Sequence, residues 1–404
     1  MPRPAWRGSV TLHTGWVWGL PRWHAICYRK PSVRIVYVTE TYPPEVNGVA
    51  LTVERAVAQL RAMGHALTLM RPRQPGESPR ADADEWRTRG MPIPMYRDLR
   101  LGLARTADLR ERLQRLRPQL VHVATPGPLG AAAVHAARAL ALPLTTDYRT
   151  NFQQYSGYYG FGWMAPTVHR YLRRFHNQGH RTFAPTGAVQ AALQRSGFRH
   201  VHVVGRGVDT VQFSPAHRSE SLRFGSDAPV LLYVGRLAAE KNVALALEAY
   251  EAVRARRPDV RFLVVGDGPQ HRRLRARCPT AFFAGELRGA SLAAVYASAD
   301  LFLFPSLSET FGNVTLEAMA SALPVVAFDT AAAAEHLRGS DAARLVPPGD
   351  ARAFVEATCA LAALPAHELR RRGALARERA LGLSWERVLG QFEHQLVETA
   401  QRRA

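Results

Sequence analysis

Short apolar runs alternate with segments of helical periodicity along this chain. They form two series, one before and one after about residue 210. Helical segments between strands are typical of βαβ units, so each series predicts a doubly wound α/β domain, with ligand sites at the carboxyl ends of its parallel strands. The predicted strands are Ile35–Thr39, Leu67–Met70, Leu120–Val123, Leu144–Thr146, Thr182–Ala184 and Val201–Val204, then Val230–Val234, Arg261–Val265, Ala281–Ala284, Leu301–Phe304, Pro324–Ala327 and Arg344–Val346.

The boundary between the two domains is predicted in a Gly- and Pro-containing segment, Gly207–Pro215. Such residues interrupt regular structure, and the sequence from there to Pro229 has little hydrophobic periodicity. We therefore expect a first domain over 33–209 and a second over 210–384.

Residues 1–32 precede the first strand and carry arginines among several tryptophans. Their apolar part is too short and too interrupted for a secretory signal. Two interpretations remain: a poorly ordered extension, or an interfacial aromatic segment.

The composition is that of a globular protein. With 404 residues, 47% of them hydrophobic, the chain has enough apolar material for two cores. Its three cysteines are widely spaced and form no metal-ligand pattern, which fits a reducing cytoplasm. No run of eighteen uninterrupted apolar residues occurs, so no membrane-spanning helix is predicted.

Two glutamates eight positions apart, Glu309 and Glu317, flank a predicted strand-to-helix loop in the text Ser-Glu-Thr-Phe-Gly-Asn-Val-Thr-Leu-Glu. Free N–H groups at a helix start bind anions and hydroxyl oxygens, and carboxylates accept several hydrogen bonds from a ligand rich in hydroxyls. The alternative is an ordinary acidic cap of a helix.

A second loop follows the strand Val230–Val234 and carries Gly235, Arg236 and Lys241 before a predicted helix, Val243–Arg254. Only two of the 53 basic residues are lysines, and Lys241 is one of them. A compact ammonium beside a planar guanidinium suits a diphosphate. A solvated basic loop is the alternative.

These motifs, taken in order, resemble the family 4 (group 1) retaining glycosyltransferases, whose architecture is GT-B. The resemblance covers roughly residues 33 to 385, and within the family it is greatest to GDP-mannose-dependent mannosyltransferases of glycolipid synthesis. The matching segments are Thr39–Val49, Thr150–Tyr155, Phe175–Asn177, Gly205–Asp209, Gly235–Lys241, Val264–Pro269, Ala299–Ser306, Glu309–Glu317 and Leu345–Asp350.

The resemblance implies roles for individual residues. Arg236 and Lys241 neutralise the leaving diphosphate, Glu317 binds the nucleotide ribose, and Glu309 holds the sugar hydroxyls. The remaining donor-binding residues that it implies are Asn47, Gly48, Gly235, Gly266, Phe311, Gly312, Asn313 and Val314. It also implies that the final helix, within 385–404, packs back on the first domain. The co-substrate is then a nucleotide-diphosphate sugar, with GDP-mannose favoured, and no other cofactor is expected.

This sequence departs from the family at two places. Arg149 stands where a histidine is frequent near the donor sugar, and because guanidinium stays protonated it can orient an oxygen but not act as a base. We keep Arg149 among the candidate catalytic residues. Ala322 and the alanines 331–334 replace glycine-rich text, which predicts looser backbone contacts.

No metal site is expected. The acidic pair Asp82 and Asp84 lies in a Pro-, Gly- and Arg-rich segment away from any predicted strand end, and two cations already face the diphosphate. His122, on a buried strand, is interpreted as a core histidine.

The net charge of +20 calls for an anionic partner. Arginines are densest around 97–117, where leucines at helical spacing predict a basic amphipathic helix, 106–117. Its leucines either pack on a sheet or contact an anionic membrane surface on the cytoplasmic side. No nucleic-acid-binding motif or aromatic ladder accompanies the arginines.

The resulting hypothesis is a retaining transfer of a hexose, mannose by the resemblance, from a nucleotide sugar to a hydroxyl of a lipid or glycan. Two alternatives remain open at this point: an epimerase-like enzyme of the same fold that converts the donor alone, and a non-catalytic membrane-surface module.

Overall fold

A computed structural model describes residues 32–45, 48–78, 84–93, 96–149, 165–223, 228–309 and 311–402. Within it, Val33–Ala404 forms one compact unit. The expectations for residues 1–31, for Asn47, for Asp82 and for the segment Thr150–Tyr155 lie outside the described residues.

The first half of the chain builds an eight-stranded sheet, which we call the N-terminal lobe together with its helices. Its order is β4-β3-β2-β1-β5-β6-β7-β8, parallel except for the antiparallel pair β3/β4. The order reverses between β1 and β5, and a crevice at such a point is where doubly wound sheets bind ligands. The strands are β1 Arg34–Val38, β2 Ala66–Pro72, β3 Glu85–Ile93, β4 Tyr96–Leu103, β5 Leu120–Val123, β6 Leu144–Asp147, β7 Arg181–Ala184 and β8 Val201–Val203.

The second half builds a six-stranded, fully parallel sheet, the C-terminal lobe, in the order β11-β10-β9-β12-β13-β14. Its reversal lies between β9 and β12, the two strands that lead into the Lys241 and Glu309 loops. The strands are β9 Val230–Val234, β10 Arg261–Val265, β11 Phe282–Gly285, β12 Leu301–Phe304, β13 Val325–Phe328 and β14 Ala343–Val346.

Helices connect these strands, and their apolar residues cover both sheets. In the described ranges they are α1 Gly48–Ala62, α2 Thr106–Leu116, α3 Pro128–Ala139, α4 Ala165–His176, α5 Gly187–Arg195, α6 Val243–Arg254, α7 His271–Arg277, α8 Gly289–Ser298, α9 Asn313–Ala320, α10 Ala331–Leu337, α11 Ala351–Ala362, α12 Ala366–Leu381 and α13 Trp385–Gln401. None of the helices in this part of the chain is long and apolar enough to cross a membrane.

The prediction missed one element, the hairpin formed by β3 and β4 at the edge of the first sheet. The expectation that Asp84 lies away from any strand end was also wrong, because β3 begins at Glu85. It is the amino end of a strand, however, and not the carboxyl edge where ligand sites form.

The helix α13 packs on the N-terminal lobe, although it follows the C-terminal lobe in sequence. Phe392 and Leu396 are fully buried among side chains of β1 and α1. His65 accepts a hydrogen bond from the Val33 N–H at Nδ1, and its Nε2 lies 3.3 Å from the Glu393 carboxylate. A buried polar contact therefore accompanies the apolar one.

The chain crosses between the lobes twice, and the crossings are adjacent. The Val208 N–H donates to the Leu383 carbonyl at 2.9 Å, and Val208 forms an isolated parallel bridge with Ser384. We call residues 204–209 the first crossover. It runs from β8 directly past the loop that carries Glu309.

Candidate active site

The loop after β12 ends in a glycine that the backbone requires. Gly312 has φ +95° and is the N-cap of α9, a left-handed conformation that side chains other than glycine adopt only with strain. The helix begins at Asn313, so Glu317 lies in its second turn. Phe311 is buried at 1% exposure and anchors the loop.

Lys241 and Glu309 form an ion pair across the crevice between β9 and β12. The Ser306 hydroxyl donates to the same Glu309 oxygen at 3.0 Å. The two side chains are only 15% and 13% exposed, so the pair is partly shielded from water. The structure thus brings together two residues for which the sequence predicted separate ligand contacts. An ammonium has three N–H donors, so Lys241 can serve this carboxylate and a ligand oxygen at once.

Arg236 contrasts with Lys241, because its side chain is exposed. Within the described part of the chain, no acidic side chain forms an ion pair with it. Beside it, Gly235 and Gly266 allow the carboxyl ends of β9 and β10 to lie close together. The Gly235 N–H donates to the Val265 carbonyl, and a Cβ on Gly266, where φ is +129°, would collide with the Gly235 carbonyl. This close approach of the two backbone segments therefore explains why glycine occurs at both positions.

Glu317 is held by a tyrosine that the sequence analysis did not single out. The Tyr296 hydroxyl, on α8, donates to Glu317 Oε2 at 2.9 Å. Burial raises the pKa of Glu317 to about 7, and the Tyr296 hydrogen bond opposes that rise only in part. A tyrosine within an alanine-rich helix gives no signal of this contact in the sequence.

Arg206, in the first crossover, is a second residue that the analysis missed as part of the site. Its Nη1 donates to Asn313 Oδ1 at 3.1 Å, and its guanidinium lies 5.8 Å from the centre of the Phe311 ring. It also faces Gly48, the first residue of α1. The Gly205–Asp209 segment was part of the family resemblance, and that was the signal that could have singled out Arg206.

Arg149 lies two residues after the carboxyl end of β6. It is 6% exposed and pairs with Asp147 at 2.5 Å, and Asp147 lies 3.4 Å from His122 Nε2. Burial alone raises the pKa of Asp147, but Arg149 and His122 outweigh it and bring it to about 2. The charged partner of Arg149 belongs to the N-terminal lobe, and the catalytic role of Arg149 stays a prediction.

His122 lies on β5 with its Nδ1 2.9 Å from the Thr145 hydroxyl. It packs against Tyr37 and Phe392. These contacts make it the core histidine that the sequence predicted.

The alanines that replace glycine-rich text have an unusual backbone. Ala322 and Ala331 have φ values of +59° and +49°. Ala331 lines a small pocket with Glu309 and Phe311, and the Ala332 N–H donates to the Phe311 carbonyl at 2.7 Å. The backbone of this segment thus retains a left-handed conformation that glycine adopts more easily.

A buried carboxylate, Glu40, lies at the switch point of the N-terminal lobe. It accepts the Leu129 N–H at 2.7 Å and so caps α3, whose own N-cap residue, Gly127, has no side chain to do so. Burial raises its pKa to about 7 against the effect of these N–H groups. No group of three or more metal-binding side chains occurs among the described residues.

Comparison with known proteins agrees with this geometry. Residues 228–363 match the family described as glycosyl transferases group 1, and residues 46–212 match glycosyltransferase family 4. A GDP-mannose-dependent alpha-mannosyltransferase of Mycolicibacterium smegmatis is 36% identical over 376 residues, 89% of this chain and 97% of that protein. An alpha-monoglucosyldiacylglycerol synthase of Streptococcus pneumoniae is 26% identical over 312 residues, 73% of this chain and 71% of the relative.

Among solved structures, HepE of Anabaena in complex with UDP superposes with a TM-score of 0.72 at 17% identity, covering 91% of this chain and 100% of that one. The likeness concerns the fold. It confirms the predicted GT-B architecture of two Rossmann-like parallel-sheet domains.

Proposed function

The chain belongs to the group 1, family 4 glycosyltransferases, and on this premise we propose that it transfers mannose from GDP-mannose, with retention, to a hydroxyl of a lipid acceptor. The observation that carries the proposal is the Lys241–Glu309 pair at the switch point of the C-terminal lobe, with Glu317 eight residues further along. The relative from Mycolicibacterium smegmatis supplies the identity of the donor.

The cations stabilise the leaving group. As the bond between C1 of the sugar and the diphosphate oxygen breaks, negative charge grows on the diphosphate, and Lys241 and Arg236 lie where they can neutralise it. The acceptor oxygen forms its bond to C1 on the same face, its proton passes to the departing diphosphate, and GDP leaves. No protein nucleophile takes part. Arg149, which pairs with Asp147, stays a candidate for orienting a phosphate or sugar oxygen and does not act as a base.

The carboxylates position the donor. Glu317, as a carboxylate, accepts hydrogen bonds from the ribose hydroxyls, and Glu309 accepts them from the sugar. The N–H groups at the start of α9, around Gly312, Asn313 and Val314, face the same ligand, as free N–H groups at a helix start bind oxygen acceptors. Asn47 and Gly48 extend the donor site to the other lobe.

We propose that consecutive parts of the chain have different roles in the reaction. Residues 33–209 bind the acceptor, residues 210–384 bind the donor, and residues 385–404 attach the second part to the first. Catalysis in this scheme needs no metal ion, because Lys241 and Arg236 supply the positive charge. A chelator should leave turnover unchanged, and activity that a chelator abolishes and magnesium restores would contradict this.

The lipid nature of the acceptor rests on the relatives and on the charge of the surface. The name of the Streptococcus pneumoniae relative indicates a diacylglycerol lipid. Leu109 and Leu113 of α2 are buried against α3, so they cannot insert into a bilayer. Arg110 and Arg115 of α2 remain exposed, whereas Arg112 packs over Trp86. We propose that the exposed arginines attract anionic lipid by charge alone.

Product analysis tests the reaction directly. Incubation of the enzyme with GDP-mannose and a diacylglycerol-based glycolipid should yield GDP and an α-mannoside in equal amounts, with the anomer assigned by NMR. A β-mannoside, or a covalent mannosyl-enzyme seen by mass spectrometry, would contradict retention by a front-face route. Release of free mannose without transfer would contradict the lipid acceptor.

A further inference from the structure

A hydrogen bond joins the two lobes at a place where the chain does not cross between them. The Gly187 N–H, at the start of α5, donates to both carboxylate oxygens of Glu335 on α10, at 3.3 and 3.2 Å. The two residues are 148 positions apart in sequence. Because α5 belongs to the N-terminal lobe and α10 to the C-terminal lobe, the contact connects the two lobes directly.

The start of α5 is a favourable position for a carboxylate. The Thr186 side chain caps the helix by accepting the Val189 N–H, and the Gly187 N–H is served by Glu335 instead. A negative charge at a helix N-terminus is stabilising, because it faces the positive end of the helix dipole. The first turn of α5 has no acidic residue, and the sequence has none between 147 and 209. The carboxylate that serves this helix therefore comes from the other lobe.

The helix that carries Glu335 is attached to the loop of Glu309 and Phe311. The Ala332 N–H donates to the Phe311 carbonyl at 2.7 Å. His336, next to Glu335, contacts the Phe311 ring edge-on, with the ring centres 6.0 Å apart. Two separate contacts thus hold α10 to the loop that we propose to bind the donor sugar.

The same loop lies close to the N-terminal lobe. A Cβ on Gly205 would be 3.7 Å from the Pro185 carbonyl and 4.0 Å from the Phe311 ring. Pro185 directly follows β7 and lies two residues before Gly187. The contact between Glu335 and Gly187 therefore forms beside the region where the exit of β7 approaches the loop after β12.

We propose that Glu335 is a positioning residue that holds the donor-binding loop of the C-terminal lobe against the acceptor-binding N-terminal lobe. The inference rests on the proposed function and adds a contact that fixes one lobe relative to the other. Transfer requires the acceptor oxygen to lie close to C1 of the sugar in the correct orientation, and a small displacement of the reacting atoms lowers the rate strongly. Glu335 acts through the arrangement of the lobes and needs no contact with either substrate.

Kinetics of mannosyl transfer from GDP-mannose to a diacylglycerol-based glycolipid test this in the full chain. Glu335→Ala removes the carboxylate, and Gly187→Pro removes the N–H. Proline is tolerated at the first position of a helix, and Thr186 before it has the extended backbone that suits a following proline. Each variant should lower kcat about two- to fivefold, the effect of one exposed carboxylate at a helix N-terminus. Because both changes remove the same contact, the double variant should be no slower than the slower single variant.

Calorimetric titration with GDP-mannose separates positioning of the lobes from donor binding. The proposed donor-binding groups Lys241, Glu309 and Glu317 belong to the C-terminal lobe, so Glu335→Ala should bind the donor within twofold of wild type while its kcat falls. A general loss of structure would instead lower the donor affinity, kcat and the melting temperature together.

Three further variants act as controls. Gly187→Ala keeps the N–H, and its Cβ would lie at an ordinary contact distance of 3.6 Å from the Glu335 oxygens, so it should lose less activity than Gly187→Pro. Glu335→Gln keeps an oxygen acceptor without the charge and should have an intermediate kcat. Glu356→Ala removes another exposed glutamate of the C-terminal lobe and should have the kcat of wild type.

The inference is overturned if Glu335→Ala has the kcat of wild type, if the two single losses multiply in the double variant, or if the donor affinity falls as much as kcat. Small-angle X-ray scattering of the ligand-free proteins gives a readout that needs no substrate. Glu335→Arg places a positive charge against the start of α5, so its radius of gyration should exceed that of wild type, and equal values would contradict the role of Glu335. This increase, in a protein whose wild type does not use GDP-mannose, would support the contact and contradict the proposed donor alone.

Discussion

At the scale of single residues, the site depends on charges that are partly shielded from water. Lys241 is one of two lysines among 53 basic residues, and the structure pairs it with Glu309. Reduced exposure to water strengthens electrostatic interactions. A charge in this site therefore interacts more strongly with a ligand than the same charge on the open surface does. Burial also raises the pKa of Glu317 to about 7, which lies in the physiological range.

Replacing Lys241 with alanine should cost about 2–4 kcal/mol of transition-state stabilisation, comparable to the loss of one donor to a developing anion. Glu309 would also lose its cationic partner and keep only the Ser306 hydroxyl, so the donor sugar would be less well oriented. Steady-state kinetics with GDP-mannose measures the fall in kcat/KM. Lys241→Arg is the control, since it keeps the charge in a different shape. A rate change under twofold in Lys241→Ala would refute the role.

The affinity for the donor should depend on pH through Glu317. Burial raises its pKa to about 7 in the donor-free enzyme, and ribose hydroxyls bind best to the ionised carboxylate. Protonation therefore competes with the donor, and KM for GDP-mannose should rise as the pH falls below about 7. Glu317→Gln should have a high KM with little pH dependence between pH 5.5 and 8. A wild-type KM that is flat over this range would contradict the assignment.

At the scale of helices and strands, buried parallel strands were predictable and an edge hairpin was not. The helix α6 has the predicted bounds, Val243–Arg254, and each of the twelve predicted strands lies within two residues of a strand of the structure at both ends. Buried strands are read from continuous apolar runs. The hairpin β3/β4 is rich in arginine, and it forms because an edge position tolerates charged residues.

The alanine at position 322 carries measurable strain. A left-handed backbone costs alanine about 1–2 kcal/mol, and a change to glycine would remove this cost. Glycine also has greater freedom in the unfolded chain, which lowers the free energy of unfolding by about 0.4–1 kcal/mol and so offsets part of the gain. Ala322→Gly should therefore raise the free energy of unfolding by up to about 1 kcal/mol, measured by urea denaturation. Ala191→Gly, on an exposed face of α5, should lower it by about 1 kcal/mol. Destabilisation by both changes would contradict this account.

The helix α13 should contribute strongly to the stability of the N-terminal lobe. Phe392 is fully buried between Phe183 and His122, so Phe392→Ala should cost about 3–5 kcal/mol in urea denaturation. Phe282, which is 53% exposed, is the matched control, and Phe282→Ala should cost less than about 1 kcal/mol. Equal losses in the two variants would show that α13 is not part of that core.

At the scale of the whole molecule, the net charge of +20 is the property that calls for an anionic partner. The amphipathic pattern of α2 predicted either a packed or a membrane-inserted face, and the burial of its leucines shows that the face is packed. Any attachment to lipid through this helix is then electrostatic and should weaken with salt.

Vesicle flotation tests that attachment. Binding to vesicles with anionic lipid should exceed binding to neutral vesicles, and 0.5 M salt should abolish it. Replacing Arg105, Arg110 and Arg117 with glutamine should reduce binding more than replacing the exposed arginines 272, 273 and 275 of the C-terminal lobe. Equal reduction by the two sets would contradict a specific surface at α2.

The arrangement of the site was predictable only within one lobe at a time. The loops of Lys241 and Glu309 follow adjacent strands of one sheet, so topology places them together. Arg206 and Tyr296 reach the site from a crossover and from another helix, over 107 and 21 residues, and no local pattern encodes such contacts. The structure pairs Arg149 with Asp147, and its role at the site stays a prediction.

The most direct test of the account is a titration of the purified protein with GDP-mannose, UDP-glucose and UDP-glucuronate in parallel, followed by calorimetry. The account predicts binding of GDP-mannose at least about tenfold tighter than either uridine nucleotide, lost in Lys241→Ala. Preference for a uridine nucleotide sugar, or GDP-mannose binding that survives the loss of Lys241, would contradict it.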